Sequence, residues 1–321
     1  MEKGTLKKIF KALGTVGSIT IPDFTGNEGV TAAARRVMDI DNTMSVFKPD
    51  SEISRINAGA GMDFVAVSGE TMGILKRSLY FSALSEGAFD ITAAPLIDLW
   101  GIGKKQHVIP GEAEIQQAKD LVGYRGLVLD EKGGRAMLAH KGQRINLGGI
   151  AKGYAADEVR RILAEHGIQN ALINLGGNIW VMGHKYGSLP WHVGVQHPLE
   201  PTGIPMGELQ LTDATVVTSG SYEQCFFKNG VRYHHIIDPR SGRPAATGLL
   251  SVTAVGNSSM DMDALTTAVF VSGIEKGMKL LERLNAQAIF IGAGGEVYVT
   301  EGLQAQFHPM PEKIRYDRGA V

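Results

Sequence analysis

An α+β fold is what the sequence predicts, because helical stretches and strand stretches come in runs instead of alternating strictly. Up to Leu121 most apolar residues recur at helical spacing. From Leu127 the pattern turns to short strand-like segments punctuated by turns, with Asn229-Gly230 the strongest hairpin signal. The 41 glycines are scattered without a period, as many tight turns and close backbone approaches require. A chain of 321 residues, 44% hydrophobic and 20% charged, can bury a sizeable core in one large or two intimate domains. Residues 1–303 read as a single domain of two close lobes, and 304–321 as a tail that is frayed or draped over the body. A net charge of −1, with no basic groove interleaved with aromatics, argues against nucleic acid as a partner. No apolar run of about 18 residues occurs, so no transmembrane segment is expected. The single cysteine, Cys225, rules out a disulfide framework and reads as a buried, inert thiol beside Phe226 and Phe227.

Thr15 to Ile21 predicts the first strand, stopped by Pro22. Glu28 to Thr43 predicts a helix with Val30, Ala33, Val37 and Ile40 on one side. Residues 44–57 are too polar and interrupted for core and read as a surface connection containing a short helix. Ser68 caps the next helix, which ends near Gly87; Pro95 to Trp100 and residues 111–121 give two more. Strands follow at Gly126–Asp130, Ala136–His140, Ala171–Leu175, Ile179–Gly183 and Trp191–Gln196, with Gly176-Gly177-Asn178 as a turn. Thr215–Thr218 is a strand, Cys225–Lys228 and Val231–Ile237 form a hairpin, and Leu249–Val255 is a further strand. Ser259–Val271 and Glu275–Leu284 are helices, and Ala288–Ile291 with Val297–Thr300 closes a last hairpin.

The candidate chemistry centres on residues 145–157. Gly148-Gly149 follows a short apolar run and opens into a helix whose buried face is Ala151, Ala155, Val159 and Ile162, stopped by His166-Gly167. Glycines there let the backbone approach a ligand, the new helix presents free N–H groups, and Lys152 adds a mobile cation. A phosphate suits the site; so does a plain strand-to-helix turn. Neither a Walker loop nor a dinucleotide fingerprint is present. Asp263 and Thr267, four apart, share one helix face and form a hard-oxygen pair suited to Mg²⁺, although acids near a helix start also serve as caps. His234 and His235 fall on opposite faces of the predicted return strand, so at most one lines a site, as a base with Asp238 close by or as an ordinary strand histidine. Ala88-Phe89-Asp90 could place an aromatic face and an acid beside a heterocycle or merely fold a turn. Tyr222, Trp100 and Phe47 suit packing as well as ligand stacking.

Taken together these stretches resemble the ApbE family of FAD:protein FMN transferases. The matching blocks, in order, are Ser51–Asn57; Gly87-Ala88-Phe89-Asp90-Ile91-Thr92 with Pro95-Leu96 and Leu99-Trp100; Leu147–Ala155; Asn174–Asn178; Thr218-Ser219-Gly220; Tyr233–Pro239; Ser251-Val252-Thr253; and Asp263–Ala268. The resemblance implies mixed antiparallel sheets with packed helices, related to the T-fold, and an FAD cleft between two lobes. It also implies an Mg²⁺-dependent enzyme that esterifies the FMN half of FAD onto a threonine or serine of an acceptor flavoprotein and releases AMP. Carried over by position, FAD contacts fall on Leu13, Phe47, Ala88, Phe89, Asp90, Asn146, Lys152 and Ile237, and metal ligation on Gly149, Asp263 and Thr267. Leu13 stands where the family commonly has Met, and Asn146 where it has Asp, so Asn146 supplies no charge. His235 is the expected base with Asp238 as its orienter, and His234 is the fallback. Two other readings stay open: an FAD pyrophosphatase, in which water replaces the acceptor hydroxyl, and a non-catalytic flavin binder. The sequence shows no lipoprotein leader, so a cytoplasmic location is expected, or a periplasmic or membrane-anchored one if a leader has been removed.

Overall fold

One eight-stranded antiparallel sheet organises the computed structural model, which describes residues 4–22, 27–103 and 108–310. Its strands lie side by side in chain order: β1 (Leu6–Ala12), β2 (Thr15–Ile21), β3 (Ala171–Leu175), β4 (Asn178–Met182), β5 (Ala214–Gly220), β6 (Leu249–Gly256), β7 (Gln287–Gly292) and β8 (Val297–Val299). Among the described residues eight helices fill the connections: α1 (Glu28–Met44), α2 (Glu52–Ala58), α3 (Gly69–Leu84), α4 (Ala94–Trp100), α5 (Glu112–Lys119), α6 (Ala151–Glu165), α7 (Ser259–Ser272) and α8 (Ile274–Arg283). Six of them lie between β2 and β3, and α7 and α8 lie between β6 and β7. None of the described helices is long and apolar enough to cross a membrane.

Strand alternation divides the apolar residues between two cores. On β6, Leu249, Val252 and Ala254 face α1, α6 and α7, while Leu250 and Val255 face the other way. On β7, Ala288 and Phe290 join the helical side and Ile289 and Ile291 the opposite one. That opposite face is covered by a three-stranded sheet of Trp191–Gln196, Pro205–Leu211 and Phe307–Pro309. Trp191 fixes it to the main sheet by donating its indole N–H to the Met182 carbonyl at 3.0 Å. Strands buried on both faces read as continuous apolar runs.

Three expectations need correction. Leu6–Ala12 forms β1, a strand the lysine-rich sequence disguised; Lys7, Ile9 and Lys11 point outward while Leu6 and Phe10 lie half-buried against the core. Pro205–Leu211 is also a strand, unexpected because Pro205 and Gly207 interrupt its pattern. The predicted return strand 231–237 is broken: Val231–His234 completes the hairpin, and Ile237–Asp238 pairs separately with Arg243–Pro244. In the segment read as a tail, Phe307–Pro309 pairs with Gly207–Leu209. Residues 311–321 lie outside the described residues.

Helices α6 and α7 cross with their backbones close together. A Cβ built on Gly153 would stand 2.1 Å from the Ser259 carbonyl oxygen, a backbone atom that cannot swing away. Only glycine lets α6 cross α7 at this distance. Gly153→Ala should therefore lower stability by at least about 2 kcal/mol. The loss should appear as a lower urea midpoint with unchanged slope. A variant as stable as the wild type would mean that the two helices separate at no cost.

Candidate functional site

The Gly-Gly turn is tied down from its N-terminal side by two asparagines. Asn57 pairs with the backbone of Ile145, accepting its N–H at 2.8 Å and donating to its carbonyl at 3.0 Å. Asn146 donates its own N–H to the Ile91 carbonyl at 2.8 Å, and its Oδ1 accepts from Gly148 N–H, also at 2.8 Å. A neutral amide thus closes the turn. Gly149 then passes against Phe89 and Thr267: a Cβ there would lie 3.2 Å from the Phe89 ring and 3.6 Å from Thr267 Oγ1.

Residue 150 has no capping side chain, so the first N–H groups of α6 need acceptors from elsewhere. Asp263, on α7, supplies one: its Oδ2 accepts from Gly153 N–H at 3.0 Å, although 110 residues separate them. Its other oxygen lies 3.6 Å from the Lys152 ammonium, which also donates to the Gly148 carbonyl at 2.7 Å. Asp263 is only 4% exposed, and these partners are what a buried carboxylate requires. Thr267 stands one turn further along α7, its hydroxyl 3.4 Å from the Asp263 carbonyl and 3.4 Å from Ser219 Oγ. Ser219 donates to Thr266 Oγ1 at 3.0 Å, so a residue from β5 holds both threonine hydroxyls in place. Gly149, Lys152, Asp263 and Thr267 therefore converge, with Phe89 beside them.

The remaining candidates have more varied surroundings. Asp90 spends its carboxylate on its own loop, accepting from Thr92 N–H and Oγ1 through Oδ1 and from Tyr124 N–H through Oδ2. Burial pushes that carboxyl above the usual range while the three donors pull it back. The loop so fixed carries buried Ala88 and Phe89, and Phe89 meets Phe81 edge-on. Ile237 is buried beside Leu96, Trp100 and Ile115. Phe47 is 84% exposed on the loop after α1. Leu13 occupies the two-residue β1–β2 turn at φ +53°, a left-handed conformation that costs a non-glycine residue about 1–2 kcal/mol. Among the described residues no hydrogen bond or ion pair joins Leu13, Phe47, Ile237 or Asp238 to the convergent group.

The two histidines differ sharply. His234 is buried, its Nε2 on the Ala245 carbonyl at 3.0 Å and its ring edge-to-face with Phe270. His235, half-buried, is held at the base of the hairpin by the Gln224 carbonyl, which receives its backbone N–H at 3.1 Å and lies 3.3 Å from Nδ1. A carbonyl can only accept, so the proton belongs on Nδ1 and Nε2 keeps a lone pair. Burial, with help from His234 and Lys152, lowers the His235 pKa to about 4, leaving the ring neutral at pH 7. Asp238 is not its orienter. That carboxylate receives Arg240 N–H and Nε–H through Oδ1, at 3.0 and 2.8 Å. The His235 ring meets the Gln224 carbonyl instead of Asp238, because the strand breaks before residue 237 and Ile237–Asp238 pairs with Arg243–Pro244.

Three contributing residues were not visible as such in the sequence. Ser219 lay inside a recognised motif without a role. Glu223 gave no signal; burial raises its carboxyl while Lys152 opposes the shift, and its own charge together with burial raises the Tyr222 phenol. Asp157 reads as one more polar residue of α6, yet it accepts from Trp180 and from the start of α7. Among the described residues no three His, Cys, Asp or Glu side chains gather as a metal cluster, so any cation here relies on one carboxylate and on carbonyl and hydroxyl oxygens. A groove of about 590 Å³ lined by Glu70, Arg77, Tyr80, Tyr154 and Met260 contains none of the convergent residues, so concavity alone does not locate the chemistry.

The sequence model of the ApbE family matches residues 13–291. A protein of Klebsiella pneumoniae (strain 342) named FAD:protein FMN transferase is 34% identical over 284 residues, 87% of this chain and 88% of that protein. One of the same name from Treponema pallidum (strain Nichols) is 36% identical over 276 residues, 81% of this chain and 76% of that protein. Among solved structures, the ApbE protein of Thermotoga maritima has a TM-score of 0.85 at 32% identity, covering 94% of this chain and 99% of the other. The flavin transferase ApbE from Vibrio cholerae has a TM-score of 0.84 at 28% identity, with the same coverage of each chain. The fold is the α+β arrangement the sequence predicted, and the chain belongs to the ApbE family.

Proposed function

We propose that this protein is an FAD:protein FMN transferase that moves the FMN half of FAD onto a serine or threonine hydroxyl of an acceptor flavoprotein and releases AMP. The observation that carries this reading is the meeting of the Gly148–Lys152 turn with Asp263 and Thr267 of α7. A lysine in the first turn of α6 and a close-approaching glycine backbone suit a diphosphate. Breaking a phosphoanhydride asks mainly for charge stabilisation and in-line geometry, which such a group can provide. The names of the relatives from Klebsiella and Treponema agree with it.

The acceptor hydroxyl oxygen attacks the FMN-side phosphorus as its proton passes to His235 Nε2, and the bond to the AMP phosphate oxygen breaks. Lys152 faces the negative charge of the diphosphate, and Phe89 with Ala88 walls one side against water. The carbonyl of Gly149, the carboxylate of Asp263 and the hydroxyl of Thr267 make up the hard-oxygen set that Mg²⁺ takes, and they are the residues that would hold it. A bound Mg²⁺ supplies neutralisation of the diphosphate charge.

Incubation with FAD, Mg²⁺ and a candidate acceptor domain tests the reading directly. Covalent flavin fluorescence on the acceptor is expected; free FMN and AMP would identify a pyrophosphatase instead, and unchanged FAD a binder. His235→Ala should leave FAD affinity nearly intact and slow transfer at least tenfold, about 1.4 kcal/mol in the barrier. A proportional loss of FAD binding would remove His235 from the proton transfer. Since the neutral ring is the base and its pKa is about 4, the wild-type acid limb should lie near pH 4 and not near the ordinary histidine value. Asp263→Ala should abolish transfer or flatten its Mg²⁺ dependence, and an unaltered Mg²⁺ titration would exclude Asp263 as a ligand.

A further inference from the structure

The starts of α6 and α7 are capped reciprocally. Asp263 of α7 accepts from Gly153 N–H near the start of α6, at 3.0 Å. Asp157, one turn after Gly153 on α6, returns the interaction: its Oδ1 accepts from Ser259 N–H at 2.8 Å and its Oδ2 from Met260 N–H at 3.0 Å, the first two residues of α7. Ser258 Oγ, itself the cap of α7, donates to Oδ2 at 3.2 Å, and Trp180 Nε1 of β4 donates to Oδ1 at 2.8 Å. The carboxylate thus receives four donors, three from the start of α7 and one from β4. Between the two caps the helices touch at Gly153 and Ser259. The spacing leaves little freedom. Asp263 lies just over one turn along α7 from Ser259, so any slide or roll of α7 against α6 moves its carboxylate away from Gly153, Lys152 and the Gly149 carbonyl.

We propose that Asp157 is a positioning residue: by holding the first turn of α7 and the Trp180 indole, it sets the register of α7 on α6 and so places Asp263 and Thr267 opposite Gly149. This rests on the transferase reading and its cation site. Asp157 touches neither reacting atoms nor the proposed ligands; it acts through the position of the helix that carries them. Asparagine has the same shape but presents an NH₂ group on one side and no charge. It can satisfy only part of the donor set and leaves the α7 start poorly held.

The test compares Asp157→Asn with the wild type and with Leu209→Ala, a core truncation in the three-stranded sheet on the far face. Mn²⁺ binding to the FAD-free protein is followed by electron paramagnetic resonance, and FMN transfer is titrated with Mn²⁺. Asp157→Asn should bind Mn²⁺ about tenfold or more weakly, as loss of an outer-shell support does in metal sites. Transfer at saturating Mn²⁺ should recover most of the wild-type rate. Leu209→Ala should melt earlier while binding Mn²⁺ as the wild type does. Should Asp157→Asn not fold, Trp180→Phe removes one donor and keeps the carboxylate; a smaller weakening in the same direction is expected. Wild-type Mn²⁺ affinity in the folded aspartate variant, or in Trp180→Phe where that variant alone folds, overturns the proposal. So does an equal weakening in Leu209→Ala. A wild type that fails to bind Mn²⁺ overturns the cation site and this role with it, whereas intact wild-type binding beside an unaffected Asp157→Asn overturns the role alone.

Discussion

The crossing of α6 and α7 is the constraint on which the rest depends. Two helices brought together without a Cβ between them share their polar ends, each lending a carboxylate to the other's unpaired N–H groups. Buried acids are costly on their own. Here Asp157 is matched by four donors and Asp263 by one N–H and the Lys152 ammonium, and charge-assisted bonds contribute about 1.5–3 kcal/mol apiece. The same bonds that hold the helices also bring an acid, a threonine, a lysine and a bare glycine backbone to one spot. Structural and chemical demands are met by one set of contacts, which explains why the group is not a conventional cluster of acids and histidines.

Around that crossing, the polar loops are stiffened from within. Asp90 folds its own turn and anchors Tyr124; Asn57 and Asn146 clamp the approach to Gly148; Ser219 reaches from the sheet to the α7 threonines. Asp90, Asn57 and Asn146 substitute side chains for missing backbone partners, so the glycine turn is held without bulky neighbours. His235 follows the same logic: a carbonyl, not an acid, fixes its tautomer. Burial, not this partner, is what keeps the ring uncharged.

Much of this was legible in the residues. The helices and most strands follow their apolar spacing, and Ser68 and Gly167 mark ends where they were expected. The Asn229-Gly230 turn has positive φ at both residues, as its dipeptide predicts. Gly149 and Asp263 were assigned to one site because a family pattern links them, while spacing alone supports only a turn and a cap. What the sequence hid has a common cause. β1 is an edge strand whose Lys7 and Lys11 face outward, and Pro205–Leu211 is interrupted by residues that strands usually avoid. The roles of Asp157, Ser219 and Glu223 depend on neighbours distant in the chain, which no local pattern encodes. Asp238 was placed beside the histidine by strand continuity, and continuity is what the chain breaks at residue 235.

The strand at Phe307–Pro309 has a consequence for how the protein is made. Phe307 lies against Gly207, where an added Cβ would come within 2.4 Å of its ring, and pairs with Leu209 in the sheet that covers the second core. A chain leaving the ribosome completes its N-terminal portions first. Every other element of both cores has then been synthesised, yet the flank of Gly207 and Leu209 stays open until residue 307 emerges. The second core is therefore the last to be covered, because its closing strand follows every element that it covers.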